Sequence, residues 1–148
     1  MRQEDTAVFV VFFEDMKGST VLKERMAEKW DEEAFQNLRR EHDALIADII
    51  TRDHGGEIIK SRGDGFLAVF TKPSTAVERA IEIQEKLHGH PDLSVRIGMD
   101  MGEVRVESDD QHKRDVFGRH VDWAARAMEL ADGGHICVTR AVYTDAFS

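Results

Sequence analysis

The sequence has 148 residues, of which 41% are hydrophobic and 33% charged, values that suit one soluble globular domain spanning residues 1–148. A net charge of −9 argues against general binding to nucleic acid, and no apolar run approaches the length that crosses a bilayer, so neither nucleic acid nor a membrane is an expected partner. The one cysteine, Cys137, cannot form an internal disulfide and suits the reducing cytoplasm, where we expect the protein to reside.

Apolar periodicity and turn residues predict the elements of the first half of the chain. The apolar run at residues 7–13 predicts a central strand, because no polar residue interrupts it and both of its faces could be covered. The sequence Gly63-Asp64-Gly65 predicts a tight hairpin turn with Asp64 at its tip. We therefore expect a strand at 7–13, a short helix capped by Ser19 or Thr20, a helix at 31–52, and strands at 57–62 and 66–70.

The second half of the chain continues with helices and strands. Pro73 predicts the first turn of a helix that residues 89–91 end, and Thr139 is the expected cap of the last helix. The other expected elements are a strand at 94–101 that residues 102–106 either continue or turn back as a hairpin, a charged loop at 108–114, a helix at 118–131 and a strand at 135–138. This order, β-α-α-β-β-α-β-(β)-α-β-α, predicts an α+β, ferredoxin-like (palm-type) sheet with a βααββαβ core and helices packed on one face.

Two acidic residues lie at the ends of apolar runs that the predicted topology brings together. Asp15 follows the first strand, and Asp64 lies at the tip of the hairpin. Two carboxylates about 4 Å apart repel each other by roughly 4 kcal/mol at a semi-exposed site, so such a pair would require a divalent cation. Divalent cations can hold a triphosphate, which points to nucleotide chemistry. The alternative is that Asp15 caps a helix and Asp64 only forms the turn.

Other polar residues have both a functional and a plain structural interpretation. Residues 16–20 connect a strand to a helix, and their N–H groups could bind phosphate or form an ordinary turn. Asp122 and Arg126 share one helix face, where they could meet a partner or form a solvent-exposed ion pair worth about 0.3–0.5 kcal/mol. His88 and His90 lack a nearby third ligand, so a solvated loop is the preferred interpretation of that pair.

Four motifs occur in the same order as in the class III nucleotidyl cyclase catalytic domain, the adenylate/guanylate cyclase family, which the sequence resembles over nearly its whole length. The motifs are FEDMKGST at 13–20, GGEIIKSRGDGF at 55–66, RIGMDMGE at 96–103, and DVFG followed by VDWAAR within 115–126. They resemble the family's first metal motif with its phosphate loop, its second metal hairpin, its central strand, and its base and transition-state segment. Each motif alone is weak, but all of them in order at compatible spacing are specific.

The resemblance implies an adenylate cyclase that converts ATP to 3′,5′-cyclic AMP and pyrophosphate by two-metal catalysis. Two Mg²⁺ or Mn²⁺ ions per site would be held by Asp15, Asp64 and the carbonyl of Met16. Lys60 and Asp115 match the pair that reads the edge of adenine, which favours ATP over GTP. The remaining matches are the phosphate-binding Lys17, Gly18, Ser19 and Thr20, and the catalytic Asp122 and Arg126, of which Arg126 would stabilise charge developing on the phosphoryl group.

The resemblance also implies a symmetric homodimer with composite active sites. In the family the metal aspartates come from one chain and the base-reading and transition-state residues from the other, and this sequence carries both sets. We therefore expect the monomer to be nearly inactive. Family members are commonly regulated by attached domains or partners, so we also expect a regulatory domain or partner that is not visible in this sequence.

The sequence departs from the family pattern at two points. Asp122 replaces the usual Asn, which removes a hydrogen-bond donor and adds negative charge beside Arg126, so we expect a weakened or pH-dependent site. The usual C-terminal strand pair, which supplies a basic contact to the triphosphate, does not follow before Ser148, so either the sequence is part of a longer chain or that contact is missing. Three alternatives stay open: a degenerate cyclase-like module that binds nucleotide or regulates a partner, a cyclase acting on GTP or a pyrimidine nucleotide, and a different palm-like enzyme such as a polymerase-type or cyclic-dinucleotide synthase.

Overall fold

The computed structural model describes residues 3–17, 24 and 32–148 and has mixed α and β structure. This part of the chain contains β1 (Gln3–Met16), α1 (Glu32–Thr51) with a following 3₁₀ turn (Arg52–His54), β2 (Gly56–Arg62), β3 (Gly65–Phe70), α2 (Pro73–Leu87), β4 (Val95–Ser108), β5 (Arg114–Phe117), α3 (Arg119–Leu130), β6 (Ile136–Val138) and α4 (Arg140–Ala146). The expected α+β class is confirmed. The short helix expected after Ser19 or Thr20 lies outside the described residues.

The described strands form one sheet in the order β2-β3-β1-β4-β5, and β6 pairs in parallel with the first half of β4. β1 lies at the centre, antiparallel to both β3 and β4. It is longer than the apolar run at 7–13, because its polar ends still pair with β4, from Gln3 opposite Ser108 to Met16 opposite Val95. Asp15 therefore lies within a strand and not after one.

The two faces of the sheet carry separate hydrophobic clusters. Side chains alternate along a strand, so Phe12 joins one cluster and its neighbour Phe13 joins the other. Residues of α1, α2 and α4 cover the first face, whereas Ala124 and Met128 of α3 pack on the second. The expectation that helices pack on one face thus holds for α1, α2 and α4 and not for α3.

Helix α3 lies unusually close to β4, because two residues of β4 have no side chain. A Cβ built on Gly98 would lie 2.0 Å from the backbone nitrogen of Met128, and one on Gly102 would lie 2.2 Å from Nε2 of His120. Real Cβ atoms do not approach other atoms so closely, so only glycine permits this packing. Asp100 lies between the two glycines on the same face of β4.

The structure resolves one alternative and adds one strand. Residues 102–106 continue the preceding strand, so β4 is a single strand. β5 was not predicted, because a strand of four residues that begins with Arg114 and Asp115 has no hydrophobic alternation to reveal it.

Thr139 occupies the N-cap position of α4, as expected, but its side chain makes no capping hydrogen bond. None of the described helices is long and apolar enough to cross a membrane.

Candidate active site

The pairing of β1 with β3 brings together the two segments that carry Asp15 and Asp64. Asp15 lies opposite Gly65, and the backbone nitrogen of Met16 donates a hydrogen bond of 3.1 Å to the carbonyl of Asp64. A Cβ on Gly65 would lie 2.6 Å from Cα of Asp15, so the approach of the hairpin to β1 requires glycine at this position. The predicted proximity of the two acidic segments is therefore seen in the structure.

Both acidic side chains contact an arginine. The guanidinium of Arg96 donates two hydrogen bonds to Asp15, of 2.8 and 3.1 Å, and Nη1 of Arg39 lies 3.5 Å from Asp64. The bond to Asp15 raises the pKa of Arg96 above its ordinary value. Arg96 was missed as a site residue, although it begins the motif at 96–103. The missing information was the register, which places Arg96 directly opposite Asp15.

The residues at this end of β1 fit a divalent cation. Two carboxylates and the carbonyl of Met16 supply oxygen ligands, and Mg²⁺ usually binds one or two carboxylates together with substrate phosphates and water. The bidentate contact of Arg96 shows that the carboxylate of Asp15 already accommodates a positive group. No group of three or more His, Cys, Asp or Glu side chains within residues 3–17, 24 and 32–148 could hold a metal by itself. Phosphate oxygens would have to complete the coordination.

A buried acid–histidine pair lies directly beside Asp15 in the chain. Glu14 points to the first face of the sheet, and its Oε2 lies 2.5 Å from Nε2 of His42 on α1. Both side chains are fully buried, and the ring of His42 stacks on Phe66. Burial raises the pKa of Glu14 to about 7, although His42 partly opposes this effect. The pair ties the end of β1 that carries Asp15 to α1.

A cleft of about 610 Å³ opens between the β2–β3 hairpin and α3. Asp15, Lys60, Arg62 and Arg96 line it on the sheet side, and Ala125 lies on the helix side. The guanidinium of Arg62 lies 5.0 Å from the centre of the Phe13 ring, which holds this cation over the second face of the sheet. Three basic side chains beside an acidic pair form a suitable surface for a metal-bound polyphosphate.

The predicted base-reading residues form a direct contact. Nζ of Lys60 lies 3.0 Å from Oδ2 of Asp115, although the two residues are 55 positions apart in the sequence. The other carboxylate oxygen of Asp115 accepts a hydrogen bond of 2.8 Å from the backbone of Val116. The pair lines a pocket of about 240 Å³ with the apolar Ile59 and Phe117. Because Lys60 also lines the larger cleft, the two cavities adjoin.

The predicted catalytic residues on α3 do not join this cleft. Asp122 and Arg126 are exposed, and no ion pair involving either side chain is found within the described part of the chain. The predicted surface pair between them is therefore not formed. The same face of the helix exposes Trp123 by 54% and Leu130 by 81%. A single chain thus presents Asp15 in a cleft and Arg126 on an outward-facing surface.

The predicted phosphate loop is described only at its start. Lys17 is exposed, and its backbone nitrogen donates a hydrogen bond of 2.9 Å to the carbonyl of Ser94. This bond anchors the end of β1 beside β4. Gly18, Ser19 and Thr20 lie outside the described residues, so their phosphate-binding role stays a prediction.

Residues 1–145 match the family model of the adenylate and guanylate cyclase catalytic domain. The chain belongs to this cyclase family. The match spans nearly all of the sequence and includes every motif segment from residue 13 to residue 126. The resemblance inferred from the motifs is confirmed.

Individual relatives agree with the family assignment. The chain is 29% identical to an adenylate cyclase of Podospora anserina over 90% of its own length and 7% of that protein. Solved structures include the guanylyl cyclase Cya2 (26% identity, TM-score 0.81, 96% of this chain and 79% of that one) and an adenylate/guanylate cyclase/hydrolase from Silicibacter pomeroyi (30% identity, TM-score 0.72, 96% and 81%). The chain spans less than a third of the curated relatives that it matches.

Proposed function

We propose that the chain is the catalytic domain of an adenylate cyclase, which converts ATP to 3′,5′-cyclic AMP and pyrophosphate. The observation that carries this proposal is the contact of Lys60 with Asp115 in a pocket that adjoins the cleft of Asp15. A nucleotide base could lie in the pocket and its phosphates in the cleft, beside the basic side chains of Lys60, Arg62 and Arg96.

The donor and acceptor of this pair favour adenine. The ammonium of Lys60 can donate to a ring nitrogen of adenine, and the carboxylate of Asp115 can accept from the exocyclic amine. Guanine presents an oxygen where adenine presents that amine, so Asp115 would face a second acceptor. Ile59 and Phe117 supply apolar surface for the base.

The polyphosphate would lie at the end of the cleft that carries Asp15. Asp15, Asp64 and the Met16 carbonyl would hold two Mg²⁺ or Mn²⁺ ions. When bound, these ions would lower the pKa of the ribose 3′-hydroxyl and stabilise the pyrophosphate leaving group. Arg96 and Arg62 add positive charge next to the acidic pair, where the triphosphate would lie. We propose no protein general base among the described residues of the cleft.

The outward position of Arg126 supports a composite site in a homodimer. Arg126 lies on an exposed face of α3 and does not line the cleft of its own chain. In a head-to-tail pair, this face would meet the partner's acidic cleft, where Arg126 would stabilise charge on the phosphoryl group. Asp122 would lie beside it and accept hydrogen bonds only, which weakens the site. We propose that the homodimer works in the cytoplasm and answers to a further regulatory domain or partner.

A guanylate cyclase is the second candidate, because the similar structure of Cya2 is that of a guanylyl cyclase. The identity of 26% leaves the choice of base to be decided by the residues of the pocket. Lys60 and Asp115 support ATP, as argued above. A module that binds nucleotide without turnover is the alternative that Asp122 supports.

The deciding experiment is incubation of the purified chain with Mn²⁺ and each of the four ribonucleoside triphosphates, with cyclic products identified by mass spectrometry. We expect cyclic AMP from ATP and a loss of at least about a hundredfold in Asp64→Ala, which removes a metal ligand. The matched control is Asp48→Ala, which removes an exposed acid of α1 far from the cleft. Cyclic GMP from GTP as the main product would replace the adenylate assignment. Bound nucleotide without any product would identify a binding module.

A further inference from the structure

A buried polar cluster of Asp100, His120 and Thr139 has no part in the proposed chemistry. Asp100 lies in the middle of β4 and is 2% exposed. Its Oδ2 lies 2.8 Å from Nδ1 of His120, and its Oδ1 accepts a hydrogen bond of 2.6 Å from the hydroxyl of Thr139. Both carboxylate oxygens of Asp100 are therefore hydrogen-bonded, one to His120 on α3 and the other to Thr139 at the N-cap of α4.

The cluster joins β4 to the first turn of α3 and to the N-cap of α4. Asp100 lies between Gly98, where the backbone of α3 comes close to β4, and Gly102, where the ring of His120 comes close to it. Contacts with glycine set how near the helix lies, but they offer no side chain that resists sliding or rotation of the helix. The hydrogen bond from His120 is directional and acts at one fixed point of the strand. It can therefore set the register of α3 on the sheet.

The hydrogen bond between His120 and Asp100 is also unfavourable to break. An ionised carboxylate only accepts hydrogen bonds, so Nδ1 of His120 carries the hydrogen in this contact. Loss of that donor would leave one oxygen of a carboxylate unsatisfied at a position that is 2% exposed. The hydroxyl of Thr139 would still donate to the other oxygen, but a buried carboxylate oxygen without a hydrogen bond is unfavourable, so α3 is held where His120 reaches Asp100.

The register of α3 matters for the proposed site because this helix carries Asp122 and Arg126, which it would present to the partner chain. His120 lies two residues before Asp122 and six before Arg126 within the continuous helix α3. Ala125 of this helix also lines the cleft beside Asp15. A shift of α3 along β4 would therefore move all of these groups together.

We propose that His120 is a positioning residue, whose hydrogen bond to Asp100 sets the register of α3 on the sheet and thereby the position of Asp122 and Arg126. This inference rests on the proposed cyclase function, because it assigns His120 a role in the same site. His120 does not touch the substrate in this scheme. A misplacement of about 1 Å far from the chemistry can lower turnover by about a hundredfold, which sets the size of the expected effect.

The experiment compares two replacements of His120 that differ in their hydrogen bonding. His120→Leu removes the donor, whereas His120→Asn keeps an N–H near the position of Nδ1. Turnover of ATP with Mn²⁺ is measured as kcat and KM, and the motion of α3 is followed by the fluorescence anisotropy of Trp123. The other tryptophan, Trp30, is first replaced by Phe in all proteins, so that Trp123 is the sole emitter.

We expect His120→Leu to lower kcat by roughly ten- to a hundredfold, to change KM by less than about threefold, and to increase the local motion of Trp123. His120→Asn should stay within about threefold of the wild-type protein in kcat and leave the anisotropy unchanged. The matched control is Glu41→Ala, which removes the carboxylate of another pair, Glu41 with His90, that does not involve α3. It should change none of these values.

Other outcomes would contradict either the positioning role of His120 or the proposed cyclase function. Unchanged kcat and anisotropy in His120→Leu, or equal impairment of His120→Asn, would overturn the positioning role, because the hydrogen bond would then be irrelevant. If His120→Leu does not fold, His120→Gln replaces it, since its amide lies one bond farther out and misses Asp100. If the wild-type protein forms no cyclic nucleotide, the proposed function fails alone, and the anisotropy of Trp123 still decides whether His120 holds α3.

Discussion

Two adjacent acids on β1 have opposite environments because side chains alternate along a strand. Asp15 points to the second face, where Arg96 binds it, and Glu14 points into the core, where it contacts His42. Neighbours in sequence thus serve different purposes. Asp15 is available to the cleft, whereas Glu14 links β1 to α1.

The buried pair should make stability depend on pH. Burial raises the pKa of Glu14 from 4.5 to about 7, and hydrogen bonding and charge attraction from Glu14 and Asp43 raise that of His42 despite its burial. The folded protein therefore binds more protons than the unfolded chain, so the free energy of unfolding falls as pH rises from about 4.5 to 7 and above. For Glu14 alone, the free energy of unfolding falls by roughly 3 kcal/mol in total as pH rises through this range.

Glu14→Gln should remove much of this pH dependence, because an amide does not ionise. We expect the slope of unfolding free energy between pH 5 and about 7, measured by urea denaturation, to be clearly smaller in the variant. Glu33→Gln, which changes an exposed acid of α1, is the control and should keep the wild-type slope. An equal slope in Glu14→Gln would show that Glu14 is not the group that titrates.

At the scale of elements, the contact between α3 and β4 depends on the absence of a side chain at Gly98. The nearest atoms to a Cβ at this position belong to the backbone of Met128 and Ala124. Backbone atoms cannot rotate away as a side chain can. A methyl group at Gly98 would therefore force the helix away from the strand.

Gly98→Ala should destabilise the protein by roughly 1–3 kcal/mol, the usual effect of overpacking, as measured by chemical denaturation. The matched control is Gly133→Ala, where the nearest atom is Oγ of Ser94, at 2.2 Å from the added Cβ. Because a serine hydroxyl can change rotamer, this control should be nearly neutral. Equal stability of Gly98→Ala and wild-type protein would mean that α3 adjusts without cost.

At the scale of the whole molecule, the separation of Arg126 from the acidic cleft leads to a complementation test. Asp64→Ala and Arg126→Ala should each be inactive as homodimers, because every site lacks one component. In an equal mixture, half of the dimers would be heterodimers with one intact site, so about a quarter of wild-type activity should return. The measurement is cyclic AMP formation after mixing and re-equilibration.

The mixture also needs a control for simple additivity. Asp64→Ala mixed with Asp15→Ala should remain inactive, since both changes damage the same half of the site. Activity of Arg126→Ala alone near that of the wild-type protein would contradict the role of Arg126. No recovery in the mixture, with both variants folded and dimeric, would mean that the two residues act in the same chain.

The long elements could be predicted because each carries a repeated signal. The helix expected at 31–52 is observed as α1 (Glu32–Thr51), and Pro73 begins α2 as expected. Element ends and short strands were harder, because they depend on pairing. β1 extends past its apolar run wherever β4 offers hydrogen bonds, and β5 exists because β4 lies beside it.

The sequence by itself determined the family and the order of the motifs, because motif spacing and residue type are properties of the chain. The contact of Lys60 with Asp115 came from the structure. Only the tertiary structure decided which face each side chain meets and which distant partner it finds. Arg96 reaches Asp15 through strand register, and His120 reaches Asp100 because α3 crosses β4 at two glycines. Such contacts depend on the geometry between elements, which local periodicity does not encode.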